Sequence, residues 1–147
     1  MNKAAKSFLK SSALVLMLGA CASSIPRPSA DKYVLAITDN VEEKRFDVVL
    51  KSLDSMPLCV SKDSWPNTAG RFTVEKEDVY VKSESGVFYS RSNLMSAYCP
   101  GGCGEHRIKP KSELRSFISY ETFGDAVKFE NDASKELVFS VTPYYCR

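Results

Sequence analysis

Arg45-Phe46-Asp47-Val48-Val49-Leu50-Lys51-Ser52-Leu53 is the stretch that decides the fold. Phe46, Val48 and Leu50 alternate with Asp47 and Lys51, a period of two that puts one face of a strand in a core and the other in water. Outward from it, residues 33–38, 57–60, 70–75, 78–82, 86–90, 113–120 and 136–146 read as further strands, rich in β-branched and aromatic residues and bounded by turn formers. Val87 and Tyr89 fall on one side of their strand, and Leu137, Phe139 and Val141 on one side of theirs. Helical periodicity is weak, with room for one or two turns in 123–136. About seven to eight short strands predict an all-β, two-sheet antiparallel β-sandwich, with a small β-barrel as the alternative.

The first 21 residues are of another kind. Lys3, Lys6 and Lys10 precede a short apolar run, Ala13-Leu14-Val15-Leu16-Met17-Leu18-Gly19-Ala20, which is too short to span a bilayer. The run closes on Leu18-Gly19-Ala20-Cys21, which resembles the lipobox of bacterial lipoproteins. That resemblance implies cleavage before Cys21, a diacylglyceryl thioether on its sulfur and acylation of the new amino group, palmitate being typical. Ala22 follows the cysteine where an aspartate would signal inner-membrane retention, which implies the outer membrane with the domain facing the periplasm. Lipid chains contribute roughly 0.8 kcal/mol per buried CH₂, so two or three of them anchor the chain without a membrane-spanning helix. An ordinary secretory signal, leaving Cys21 as a free thiol, is the alternative. The expected organisation is a signal peptide over 1–20, a lipidated cysteine and flexible Pro/Ser linker over 21–32, and a β-sandwich domain over 33–147.

Removing residues 1–20 takes the basic residues from 20 to 17 against 18 acidic ones, a formal balance of −1. That balance gives no warrant for nucleic-acid binding or a polybasic membrane patch. With Cys21 lipidated, Cys59, Cys99, Cys103 and Cys146 remain, an even number in an oxidising compartment, where disulfides are the default. Cys99-Pro100-Gly101-Gly102-Cys103 carries its own turn, so two disulfides are expected, Cys99–Cys103 and Cys59–Cys146. Spacing does not fix connectivity, and Cys59 paired with either middle cysteine stays open.

Two further resemblances bear on the domain. Phe46-x-Val48-x-Leu50-x-x-x-Asp54-Ser55-x-Pro57-Leu58-Cys59 resembles the B-turn-C region of immunoglobulin-like envelope domains, and Ile108-x-Pro110-x-Ser112-x-Leu114 resembles the lead-in to one of their later strands. Ser85-Gly86-Val87-Phe88-Tyr89 is similar to the Ser-Gly-x-x-Tyr element of membrane-bound C-type lysozyme inhibitors. Ser90-Arg91-Ser92-Asn93 stands where those inhibitors carry Thr-Lys-Gly, and Ser-Gly also reads as a hairpin turn.

A catalytic centre is hard to assemble. His106 is the single histidine, and it falls in a glycine-rich loop, expected to be exposed, that builds no desolvated site. Glu42-Glu43 and Glu75 with Glu77 read as solvated edges rather than as a glycosidase pair. Cys99, Cys103 and His106, with Cys59 or Cys146, would offer soft-metal ligands, but the spacing is not that of a zinc ribbon and the compartment favours oxidation. Trp65, in a Pro/Asn turn, is either a partner-binding anchor or a core plug. Of Tyr144 and Tyr145, on opposite faces of the last strand, one should be buried. The expectation is a lipid-anchored protein-binding or structural module of the envelope, without catalysis, cofactor or metal. Its partner would be a protein met through the 99–107 loop and the 64–68 turn, with Trp65, His106 and Arg107 as contacts. The alternatives are a lysozyme-type hydrolase inhibitor or periplasmic immunity protein, and a metal-binding lipoprotein using Cys99, Cys103 and His106.

Overall fold

The alternation of Phe46, Val48 and Leu50 is realised as strand β2 (Arg45–Ser52), in which these residues and Ser52 are buried while their neighbours reach water. The computed structural model describes residues 25–92 and 104–147. β2 is the centre of a three-stranded sheet. β1 (Tyr33–Asn40) pairs antiparallel on one side through an unbroken register from Tyr33·Ser52 to Asn40·Arg45, and β7 (Glu113–Ser119) on the other from Arg45·Ser119 to Lys51·Glu113. The β1–β2 turn is set by the Asn40 side chain, which accepts from the Glu43 N–H at 3.2 Å, and by Lys44 at φ 49°.

At Asp54 the chain leaves this sheet. The carboxylate accepts from the Met56 N–H at 3.0 Å and from the Tyr145 hydroxyl at 3.0 Å, closing a turn that hands the chain to β3 (Leu58–Ser61). β3 is the centre of a second sheet, between β6 (Glu105–Ile108) and β9 (Tyr144–Tyr145). A third sheet has β4 (Tyr80–Ser83) between β5 (Gly86–Tyr89) and β8 (Glu136–Val138). Every pairing is antiparallel.

The described residues form an all-β, antiparallel sandwich whose nine strands do not close into a barrel. They pair as three sheets rather than two, β3–β6 and β8–β9 being only two to four residues long. One core joins the sheets: Phe46, Val48, Leu50 and Ile118 from the first, Leu58, Val60 and Ile108 from the second, Val81 and Leu137 from the third. An aromatic group of Phe46, Tyr120, Phe123 and Phe129 packs at centroid separations of 5.0 to 6.3 Å. Such pairs add about 0.5–1.5 kcal/mol each beyond the area they bury.

Cys59 and Cys146 form a disulfide, Cα to Cα 5.1 Å, across 87 residues. A loop of that length corresponds to about 4–5 kcal/mol in the chain-entropy picture. β9 has only two ladder pairs, and the disulfide adds a covalent tie that holds the C-terminus in its sheet. Tyr145 in turn donates its N–H to Pro26 at 3.1 Å, and Ala30–Lys32 makes a 3-10 turn, so the domain's contacts begin before Tyr33. Cys21, Cys99 and Cys103, and with them the expected lipid anchor and the expected second disulfide, lie outside the described residues.

Several expectations are corrected. Residues 70–75 form no strand: Asn67 and Gly70 draw the backbone into local turns, leaving an irregular strap with Phe72 buried. The expected strand 136–146 divides, since β8 joins β4 while β9 joins β3, although Leu137, Phe139 and Val141 are all buried as expected. Of the one or two helical turns expected in 123–136, a 3-10 turn forms at Ala126–Lys128 as expected, and a second lies at Tyr120–Phe123, mostly before that range. Neither Tyr144 nor Tyr145 is buried. Both are half-covered, because each hydroxyl reaches a carboxylate, Glu105 and Asp54, at the sheet margin.

Candidate functional site

The 65–73 strap makes the site. The Asn67 side chain accepts from the Ala69 N–H at 2.9 Å and the Arg71 N–H at 3.2 Å, folding the strap on itself. The Gly70 carbonyl then accepts from the Ser119 N–H and the Thr122 hydroxyl, and the Pro66 carbonyl from the Ser116 hydroxyl, fastening the strap along the outer edge of β7. Gly70 sits at φ +70°, and a Cβ there would lie 2.4 Å from the Phe117 ring and 2.9 Å from the Ser119 nitrogen, so only glycine permits this approach.

Between strap, β7 and β6 lies an open hollow of about 590 Å³. Trp65, Leu114 and Phe117 give it an apolar floor, and Lys62, His106 and Arg115 bring nitrogen to its rim. Among the described residues no carboxylate lines it. Arg115 is oriented by Glu113 at 2.6–2.7 Å, and Phe117 is capped on its other side by the Arg45 guanidinium, 5.0 Å from the ring centroid. Burial, and secondarily the charge of Lys62, hold the His106 imidazole below its ordinary pKa of 6.5, so it stands neutral at pH 7.

The structure brings two of the three expected contact residues together. His106 is not in an exposed loop: it is half-buried in β6, on the face it shares with Ile108, because the strand begins at Glu105 and pairs Val60 with His106. Trp65 is 2 % exposed and packs on Phe139 at 6.1 Å, so it is a core plug whose edge reaches the hollow, not a free anchor. Arg107 is exposed on the opposite face of β6 and takes no part. Sequence reading missed Lys62, Arg115 and Phe117. The available signal was Phe117, an aromatic on the face of β7 opposite Leu114, Ser116 and the buried Ile118.

Two other clusters carry chemistry-bearing groups. The Cys59 and Cys146 sulfurs lie near the Glu105 carboxylate, within 4.8 Å of one another, but as a cystine they are not thiolate ligands, so the alternative metal set loses both. Lys135, its side chain 2 % exposed, pairs with Asp39 at 2.8 Å and donates to the Glu130 and Asp132 carbonyls, and Asp39 also takes the Tyr120 hydroxyl. Burial first, then this bond, push the Tyr120 pKa well above 10. Each group in that cluster is satisfied by the others, which is the signature of a structural clamp.

The β4–β5 hairpin turns at Glu84-Ser85, with Gly86, at φ 137°, opening β5 opposite Ser83 and the Ser85 hydroxyl donating to the Lys128 carbonyl. No family model, curated protein or solved structure matches the chain.

Proposed function

We propose that the protein is a lipid-anchored, non-catalytic protein-binding module of the bacterial cell envelope, tethered at Cys21 and facing the periplasm. Its hollow takes an extended acidic segment of a partner protein. The observation that carries this reading is the make-up of the hollow: among the described residues it is lined by Lys62, His106 and Arg115 together with Trp65, Leu114 and Phe117 and by no acidic side chain, Glu113, the ion-pair partner of Arg115, standing outside the lining. An apolar lining beside the charges of Lys62 and Arg115 favours an anionic partner with apolar side chains. The Cys59–Cys146 disulfide suits an oxidising compartment, in keeping with the lipobox.

The test uses full-length protein in its own membranes. Intact mass should show a chain starting at Cys21 with a lipid increment. A photo-cross-linking side chain at Thr68, on the rim, should give one discrete adduct to another protein, and Lys62→Glu with Arg115→Glu should abolish it. An unlipidated chain overturns the anchoring, and an adduct indifferent to both charge reversals overturns the role of the hollow.

A further inference from the structure

Sheet edges invite pairing, and folded proteins blunt them with charge, proline, bulges, shortness or cover. Most edges here are blunted. β5 and β6 have four residues each, β8 three and β9 two, and β7 carries the strap. β1 is different: eight residues paired to β2 without a bulge, with neither proline nor lysine, and its only charge, Asp39, turned inward to Tyr120 and Lys135. Val34 is 48 % and Ile37 37 % exposed.

The free hydrogen-bonding groups can be assigned. Leu53 donates its N–H to the Lys32 carbonyl, so alternation directs Val34, Ala36 and Thr38 at β2 and leaves the N–H and C=O of Tyr33, Leu35, Ile37 and Asp39 pointing outward. Among the described residues no backbone group bonds to them.

We infer that β1 pairs antiparallel with β1 of a second copy, about a two-fold axis through Ala36, making one continuous sheet in the order β7-β2-β1-β1-β2-β7. The sequence Val34-Leu35-Ala36-Ile37-Thr38 is complementary to its own reverse. In this register Leu35 faces Ile37 of the second copy and Tyr33 faces Asp39. On the solvent side Val34 faces Thr38, and Ala36 meets Ala36 at the axis, where non-hydrogen-bonded strands come closest and a small residue fits. Shifting the register by two residues sets Leu35 against Asp39 or loses the Tyr33·Asp39 pair. A closed two-fold contact of this kind uses one patch twice, so it needs no other partner and leaves no free edge. A strand edge buries less than a stable soluble dimer requires. Tethering in a membrane raises effective concentration, which makes the bilayer the place where the pair forms. The inference is independent of the hollow, which lies at the far edge of the same sheet.

The experiment is cysteine cross-linking of full-length protein in its membranes under mild oxidation. Ala36→Cys should give a reducible homodimer, since Cα atoms in such a pair lie about 4.5 Å apart, within disulfide reach. Asn40→Cys should not, its two copies being roughly 27 Å apart along the strands. Ile37→Lys added to Ala36→Cys should remove the dimer, and the exposed position of Ile37 lets the fold survive that change. No homodimer from Ala36→Cys, an equal yield from Asn40→Cys, or a disulfide to a chain of another mass overturns the inference.

Discussion

At the scale of single residues, the most exacting group is Lys135. An ammonium taken almost wholly out of water survives only where its protons all find acceptors, and here they find Asp39, the Glu130 and Asp132 carbonyls, and the face of Tyr120 at 5.4 Å. Lys135→Met keeps the stem's packing but strands the two carbonyls and a third-exposed carboxylate. It should cost about 2–3 kcal/mol, read as a fall in urea midpoint. Asp39→Asn should cost less, since Asp39 keeps access to water. The double variant should be much less destabilised than the sum of the two, because each single change spoils the same clamp. Additive losses would show that Lys135 and Asp39 act separately.

At the scale of elements, the strap carries the hollow, and Gly70 carries the strap. Gly70→Ala forces a Cβ into the Phe117 ring and the Ser119 amide at a left-handed φ, so the strap has to lift from β7. The expected loss is about 2 kcal/mol or more, with raised amide exchange at Ser119. An unchanged midpoint and a protected Ser119 would mean that the strap is held elsewhere. The strap also shows where sequence reading stops. β2 was legible because its alternation comes from burial on one face, a property of the residues themselves, and β1, β5 and β7 were legible for related reasons. Residues 70–75 have strand composition, yet Asn67 and Gly70 satisfy the backbone locally and win over propensity. β6 was hidden because Glu105-His106-Arg107-Ile108 has one apolar residue and owes its strand to pairing with Leu58–Ser61. That the cysteines would pair was expected from their even number, and Cys59–Cys146 was the preferred pairing although spacing left the connectivity open, whereas the hollow depends on three segments distant in sequence, which no local pattern connects.

At the scale of the whole molecule, the shifted groups together shape stability against pH. His106 is held below 6.5 in the fold, so stability is complete above 6.5 and declines as pH falls through the folded value, the unfolded chain taking the proton first. Asp31, Asp54, Asp125 and Asp132 lie below 3.8, held chiefly by Ser29, the Met56 N–H, Lys128 and Ser134 respectively. Their contribution is present above 3.8 and is lost as pH drops through their folded values. Tyr120 and Tyr144, raised mainly by burial, and Tyr145, raised mainly by its bond to Asp54, work at the other end. Their contribution is complete below 10.0 and is lost as pH rises through the folded values. Urea midpoints at constant ionic strength should therefore be flat between 6.5 and 10.0, fall in two stages on the acid side, and fall again on the alkaline side. His106→Asn should remove the first acid stage alone, and Tyr145→Phe should soften the alkaline fall while weakening the second acid stage, because Asp54 loses a donor. Persistence of the first acid stage in His106→Asn would assign that stage to another group and leave the imidazole beside Lys62 without a part in stability.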